Sequence, residues 1–128
     1  MIEIKLIFKK TERLTGEIRI KNLFDKGNFF LTYPLRVGYL IVPKSAFPVQ
    51  VLIAAPKKRF KHAVDRNRLK RLIREAYRKN KQQLYTLIEQ KDYSLHLSFN
   101  YIASEKLDYI TVEKKLKEAI EKLIERLP

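Results

Sequence analysis

The chain contains no cysteine and only three glycines among its 128 residues. Without cysteine, a disulfide scaffold, a Cys-ligated zinc site and thiol chemistry are all excluded. Three scattered glycines do not form a phosphate-binding P-loop or a dinucleotide-binding fingerprint. Long apolar runs are also lacking, and none approaches the roughly 20 residues that a membrane-spanning helix needs. We therefore expect none of these sites and no integral membrane protein.

Acidic residues are scarce relative to basic ones, with 14 Asp and Glu against 28 Lys and Arg. The net charge of +14 predicts a polyanionic partner, with nucleic acid as the first candidate and an anionic membrane surface as the second. Hydrophobic residues make up 45% of the chain, so we expect one domain over residues 1–128. Glu3 and Lys5 interrupt the first apolar stretch, which argues against a signal peptide and for a cytoplasmic protein.

The order of apolar patterns predicts alternating helices and strands. Aromatic and β-branched runs between proline breaks indicate strands, and apolar residues three or four positions apart indicate helices. The last helix, with Thr111 as its predicted N-cap, has the clearest periodicity. We predict an α+β fold in which helices pack on a small sheet in the order α-β-β-β-α-β-α. The predicted elements are helix 15–26, strands 29–33, 35–42 and 49–55, helix 63–81, strand 93–102 and helix 111–127.

The positive charge is concentrated in residues 57–81, where 12 basic residues stand against two acidic ones. Helical periodicity sorts this segment into an apolar stripe, which is expected to pack on the sheet, and a basic face. A basic turn precedes the helix, near an N-terminus whose free N–H groups favour anions. The apolar stripe consists of Leu69, Leu72, Ile73, Ala76 and Tyr77.

Arginine predominates on the basic face, and its chemistry suits nucleic acid. A planar guanidinium binds phosphate through two hydrogen bonds and stacks on bases, whereas lysine acts as a point charge. Asn67 adds a donor and an acceptor for a base edge or a 2′-hydroxyl. Two alternatives stay open: a solvated face that only confers solubility, and a helix on a membrane surface. Like charges four residues apart destabilise a helix, and the stripe lacks Trp and Phe, so RNA binding is favoured.

The segment 63–78, AVDRNRLKRLIREAYR, resembles the signature of the protein subunit of bacterial ribonuclease P. That signature runs Ala-Val, Arg-Asn-Arg, Lys-Arg and Arg-Glu at fixed spacing. An N-terminal pattern and a Lys-Lys pair also match, so the resemblance covers about residues 9–127. The matching residues are Lys9, Arg13, Leu14, Phe24, Gly27, Lys57, Lys58, Ala63, Val64, Arg66, Asn67, Arg68, Lys70, Arg71, Arg74 and Glu75.

The resemblance implies a function in tRNA maturation. In this family an RNA subunit removes the 5′ leader of precursor tRNA, and the small protein binds that RNA and the leader. The implied cofactor is Mg²⁺, expected to be held mainly by the RNA, and no catalytic residue is expected in the protein. The implied fold is a two-layer α/β sandwich with a four-stranded mixed sheet, three helices and a left-handed βαβ crossover, against the general right-handed rule.

The resemblance also implies two binding surfaces. The 5′ leader is expected in a cleft lined by Ile20, Phe24, Tyr33 and Tyr39. Four further aromatic residues are expected in the core instead, namely Phe29, Phe30, Phe99 and Tyr101. The residues expected to contact the catalytic RNA are Lys57, Lys58, Arg59, Lys61, Arg66, Asn67, Arg68, Lys70, Arg71, Arg74 and Arg78.

Two alternatives belong to other functional classes. A structural or ribosomal-type RNA-binding protein would use the same charge without needing the Arg-Asn-Arg order. A protein nuclease would need grouped carboxylates or histidines, whereas His62 and His96 lie far apart in sequence. Asp65 and Glu75 are expected to pair with cations instead. Because its charge opposes self-association, we expect the protein to be monomeric without RNA.

Overall fold

The computed structural model describes residues 8–128, so Glu3 and Lys5 lie outside the described residues. Every predicted element is present, with bounds that agree within two residues. No helix in residues 8–128 combines the length and apolarity needed to cross a membrane. The elements are α1 (Glu17–Lys26), β1 (Asn28–Thr32), β2 (Leu35–Pro43), β3 (Val49–Ala54), α2 (Ala63–Asn80), α3 (Gln82–Glu89), β4 (Tyr93–Tyr101) and α4 (Tyr109–Arg126), preceded by a 3-10 turn (Lys10–Glu12).

The four strands form one mixed sheet in the order β1-β2-β4-β3. The pairs β1–β2 and β2–β4 are antiparallel, whereas β3 runs parallel to β4. Parallel neighbours need a crossover connection, and α2 with α3 supplies it. The predicted α+β class and the mixed sheet are confirmed, and the left-handed sense of the crossover stays a prediction.

The two faces of the sheet have different surroundings because successive side chains of a strand point to opposite sides. Val37, Leu97 and Phe99 point into the main core, which they share with buried residues of α2, α3 and α4. Gly38 and Ser98, one position further along, belong to the other side, which we call the open face. Helix α1 lies against this open face.

Two details of the predicted helices are wrong. The crossover contains a second helix, α3, so the predicted number of three helices is one too few. Leu84, Tyr85 and Ile88 of α3 are buried. This short apolar stripe is a weak sequence signal for a helix, because it lies in a segment rich in Gln and Lys. The N-cap of α4 is Asp108 rather than Thr111, because the Asp108 carboxylate accepts a hydrogen bond from the Thr111 backbone N–H at 2.9 Å.

The segment before α1 is attached to the fold at two points. Arg13 forms an isolated parallel bridge with Val51 of β3, and the backbone N–H of Leu14 donates to the Val51 carbonyl at 2.9 Å. One residue earlier, the buried Glu12 carboxylate pairs with the ammonium group of Lys81, which lies between α2 and α3. These contacts hold Arg13 beside the edge of the sheet.

Candidate nucleic-acid interface

The basic turn before α2 has a buried anchor. Phe60 is only 7% exposed, and its ring centroid lies 5.9 Å from that of Tyr101. Nη1 of Arg66 donates to the carbonyl oxygens of Phe60 and Lys61 at 2.8 and 2.9 Å. The turn is thereby attached to the sheet and to the first helical turn. Its four cationic side chains are all exposed: Lys57, Lys58, Arg59 and Lys61.

Helix α2 has the two faces that its periodicity predicts. Leu69, Ile73, Ala76 and Tyr77 are buried in the core, and Leu72 packs against it. On the other side Asn67, Arg68 and Arg71 are exposed and Lys70 is partly exposed. Because the apolar stripe fixes the rotation of the helix, the basic turn and these side chains form one continuous cationic surface.

Two of the predicted contact arginines hold groups within the protein. Arg66 bonds to the basic turn, and Arg78 donates to the Glu75 carboxylate at 2.5 Å. This hydrogen bond lowers the pKa of Glu75 and raises the pKa of Arg78. Asp65 pairs with Lys106 at 2.9 Å, and that bond lowers the pKa of Asp65. The predicted pairing of Asp65 and Glu75 with cations is confirmed.

The second candidate surface lies between α1 and the open face. The rings of Phe24 and Phe29 stack with their centroids 5.6 Å apart and an interplanar angle of 22°. The guanidinium carbon of Arg36 lies 4.2 Å from the centroid of Phe29. Phe24 is 41% exposed, so part of its ring faces solvent. We call this region, formed by α1 and by Phe29, Arg36 and His96 of the sheet, the α1 groove.

Phe29 is therefore not a core residue, contrary to the prediction. It pairs with Gly38 across the strands, which places its ring on the open face, whereas Phe30 points into the core. The predicted burial of Phe30, Phe99 and Tyr101 is confirmed. Sequence alternation alone was ambiguous here, because Phe29 and Phe30 are adjacent and the face of each depends on the strand register.

The other predicted cleft residues occupy three different places. Ile20 is half-buried, and its helical spacing from Leu23 and Phe24 puts it on the sheet-facing side of α1. Tyr33 is 54% exposed and lies between β1 and β2. Tyr39 is buried and packs edge-on against Phe30 at 6.3 Å. Tyr39 was predicted to line the leader cleft, but it pairs with Leu97 on the core side of the sheet and does not line the α1 groove.

His96 lies on the open face in the central strand β4. Its register neighbours are Leu40 of β2 and Gln50 of β3. Burial and the nearby charge of Arg19 lower the pKa of His96, so its imidazole is neutral at neutral pH. Within residues 8–128, no group of three His, Asp or Glu side chains is placed to hold a metal ion.

Gly38 makes the aromatic stack possible, since a Cβ at this position would lie 2.3 Å from Cε2 of Phe29. We expect Gly38→Ala to displace the Phe29 ring and to lower the free energy of unfolding by about 1–3 kcal/mol. Urea denaturation and the NOE between the Phe24 and Phe29 rings measure the two effects. Ser98→Ala, at the cross-strand neighbour of Gly38, is the control that keeps the NOE. An unchanged NOE in Gly38→Ala would contradict the expectation.

Comparisons with known proteins agree on one family. The family model for ribonuclease P matches residues 8–127. A Porphyromonas gingivalis protein named ribonuclease P protein component is 36% identical over 120 residues, covering 93% of this chain and 88% of the relative. A Petrotoga mobilis protein of the same name is 31% identical over 121 residues, covering 91% of this chain and 94% of the relative.

Solved structures share the fold. The ribonuclease P protein of Thermotoga maritima superposes with a TM-score of 0.67 at 22% identity, covering 87% of this chain and 96% of that one. The Staphylococcus aureus protein gives a TM-score of 0.63 at 16% identity, covering 88% and 94%. The match over residues 8–127 and the two curated relatives show that this chain belongs to the ribonuclease P protein family.

Proposed function

We propose that the cationic surface of α2 and its preceding turn binds the catalytic RNA of ribonuclease P. The chain is a ribonuclease P protein subunit and so acts in tRNA maturation. The observation behind this proposal is that the basic turn and the side chains of Asn67, Arg68 and Arg71 are all exposed. The three side chains belong to α2, whose rotation is fixed by its buried apolar stripe. Fixed guanidinium groups suit the bidentate recognition of phosphates. A ribosomal-type scaffold role is not favoured by the family membership.

The α1 groove is our proposed binding site for the 5′ leader of precursor tRNA. A single-stranded leader presents unpaired bases, and these stack on aromatic rings. Phe24 offers a partly exposed ring already supported from one side by Phe29. Arg36 adds a positive charge for the leader backbone at the same place.

The cleavage chemistry is proposed to reside in the RNA subunit, with Mg²⁺ held mainly by that RNA. A protein usually holds Mg²⁺ through one or two carboxylates together with substrate phosphates and waters. Asp65 and Glu75 are each occupied by cationic partners, and the described residues offer no cluster of acidic or histidine ligands. Within residues 8–128, these two carboxylates are therefore paired with cations of the protein, which favours a metal held by the RNA. We also propose a monomer in the absence of RNA, on the grounds of its net charge of +14.

The test is cleavage of a precursor tRNA by a bacterial ribonuclease P RNA at low magnesium, with and without the protein. We expect removal of the 5′ leader to depend on the protein under these conditions. RNA binding without any effect on cleavage would contradict the assisting role. Cleavage by the protein alone would overturn the assignment of catalysis to the RNA.

Phe24→Ala tests the leader site. We expect it to weaken binding of precursor tRNA by about 1–3 kcal/mol, the usual value of one stacked base, with mature tRNA unaffected. Filter binding of the two tRNAs to the holoenzyme measures the difference. Phe47→Ala removes a ring of nearly equal exposure, 42% against 41%, from the segment between β2 and β3 and is the matched control. An equal loss for both tRNAs would assign Phe24 a structural role.

A further inference from the structure

A cavity of about 150 Å³ lies between the segment before α1, strand β3 and helix α2. One wall is apolar and includes Phe8, Leu52 and Ile53. The polar part is formed by Arg13 and Arg74, together with Thr15, which lies two residues before α1. Two arginines that line one small cavity repel each other unless an anion lies between them.

The Arg74 guanidinium has an unused donor. Its Nε is buried, and no hydrogen-bond acceptor reaches it within the part of the chain that the structure describes. Burial and the charges of Arg13 and Arg71 lower the pKa of Arg74. Among residues 8–128, none of these three arginines takes part in a salt bridge, in contrast to Arg78. A buried donor without a partner is costly, so the arrangement favours an acceptor from another molecule.

The position of the cavity indicates which molecule supplies that acceptor. Arg74 belongs to α2, two residues after Leu72 and three after the exposed Arg71 of the cationic surface. Thr15 leads into α1, which forms the second candidate surface. The cavity therefore lies at the β3 edge of the sheet, beside α2 and next to the segment that leads into α1. The apolar wall offers contact for a ribose or a base beside a charged group.

We propose that this cavity binds one phosphodiester of an RNA strand, held by the guanidinium groups of Arg13 and Arg74, where the strand passes between α2 and the α1 groove. The inference rests on the proposed RNA-binding function. It adds Arg13 to the residues proposed to bind RNA. It also assigns to Arg74 a phosphate inside the cavity, separate from the RNA groups that contact the exposed side of α2. The backbone attachment of Arg13 to β3 and the ion pair of Glu12 place Arg13 for this contact.

The test measures the affinity of the full chain for ribonuclease P RNA and, separately, for a leader oligonucleotide over a range of salt. We expect Arg13→Ala and Arg74→Ala each to weaken binding of the RNA that occupies the cavity about tenfold. Each variant should also reduce the steepness of log affinity against log salt concentration by about one. Since both arginines hold one phosphate, the double variant should lose less than the product of the two single losses. Lys117→Ala, an exposed charge on α4, is the control with an unchanged slope.

Thr15→Trp distinguishes specific binding in the cavity from a general effect of positive charge, because it fills the cavity and leaves both arginines in place. We expect it to lower affinity and slope as Arg13→Ala does, with thermal unfolding confirming that each variant is folded. In wild type, inorganic phosphate and RNA should each shift the Nε–Hε NMR signal of Arg74, and Thr15→Trp should abolish both shifts. Wild-type affinity in a folded Thr15→Trp variant, or an Arg74 signal indifferent to saturating RNA, would overturn the cavity site. Failure of the wild-type protein to bind RNA at all would instead overturn the proposed function and this inference with it.

Discussion

Raising the salt concentration from 50 to 200 mM should lower the affinity of the protein for its RNA by roughly 10³–10⁵, on the basis of six to ten phosphate contacts and the slope for duplex DNA. The large effect follows from the concentration of charge. Residues 57–81 contain 12 basic residues. The exposed cationic side chains of the basic turn lie on one surface with those of Arg68 and Arg71 of α2. Fluorescence anisotropy with labelled ribonuclease P RNA at several salt concentrations measures the slope.

The contribution of the cationic surface is isolated by a matched pair of triple variants. Lys58→Ala, Arg68→Ala and Arg71→Ala together should reduce the salt slope by about three, one for each phosphate contact. Replacing Lys114, Lys117 and Lys122 of α4 by Ala removes the same charge from a helix that carries both signs, and the slope should stay near that of wild type. Equal reductions in both triple variants would show that net charge, rather than this surface, determines RNA affinity.

Breaking the buried ion pair of Glu12 and Lys81 should lower the free energy of unfolding by about 3–5 kcal/mol. Lys81 is 1% exposed, and Tyr85 donates a hydrogen bond of 2.5 Å to the same Glu12 oxygen that Lys81 contacts. Burial raises the pKa of Tyr77 and of Tyr85, so both phenols stay protonated as donors. Lys81→Met leaves the Glu12 carboxylate buried without its cation, and urea denaturation followed by circular dichroism measures the loss.

Two controls define the origin of that loss. Lys21→Met removes one partner of an exposed pair, Lys21 and Asp25 at 3.8 Å, and should cost less than about 1 kcal/mol. Replacing both members of the buried pair, as in Glu12→Leu with Lys81→Met, should recover much of the stability because no uncompensated charge is left. A Lys81→Met variant as stable as wild type would contradict the interpretation.

Much of the fold was predictable because its signals are local. The spacing of Leu69, Ile73 and Tyr77 determines which side of α2 is buried, and the arginine positions follow from it. The faces of Phe29 in β1 and of Tyr39 in β2 depend on strand register, and the alternation of apolar residues does not specify it where apolar residues are adjacent in sequence. Contacts between distant residues were likewise beyond prediction, as in the pairing of Glu12 with Lys81 and the approach of Arg13 to Arg74.

The attachment of the basic turn has a thermodynamic consequence. Surface segments rich in lysine and arginine usually lose conformational entropy when RNA orders them, and this loss weakens binding. Phe60 is buried against Tyr101, and Arg66 holds the backbone carbonyls at the end of the turn, so much of that ordering takes place when the protein folds. The burial of Phe60 during folding therefore offsets much of the entropic cost of ordering the basic turn, so that less of this cost remains when RNA binds.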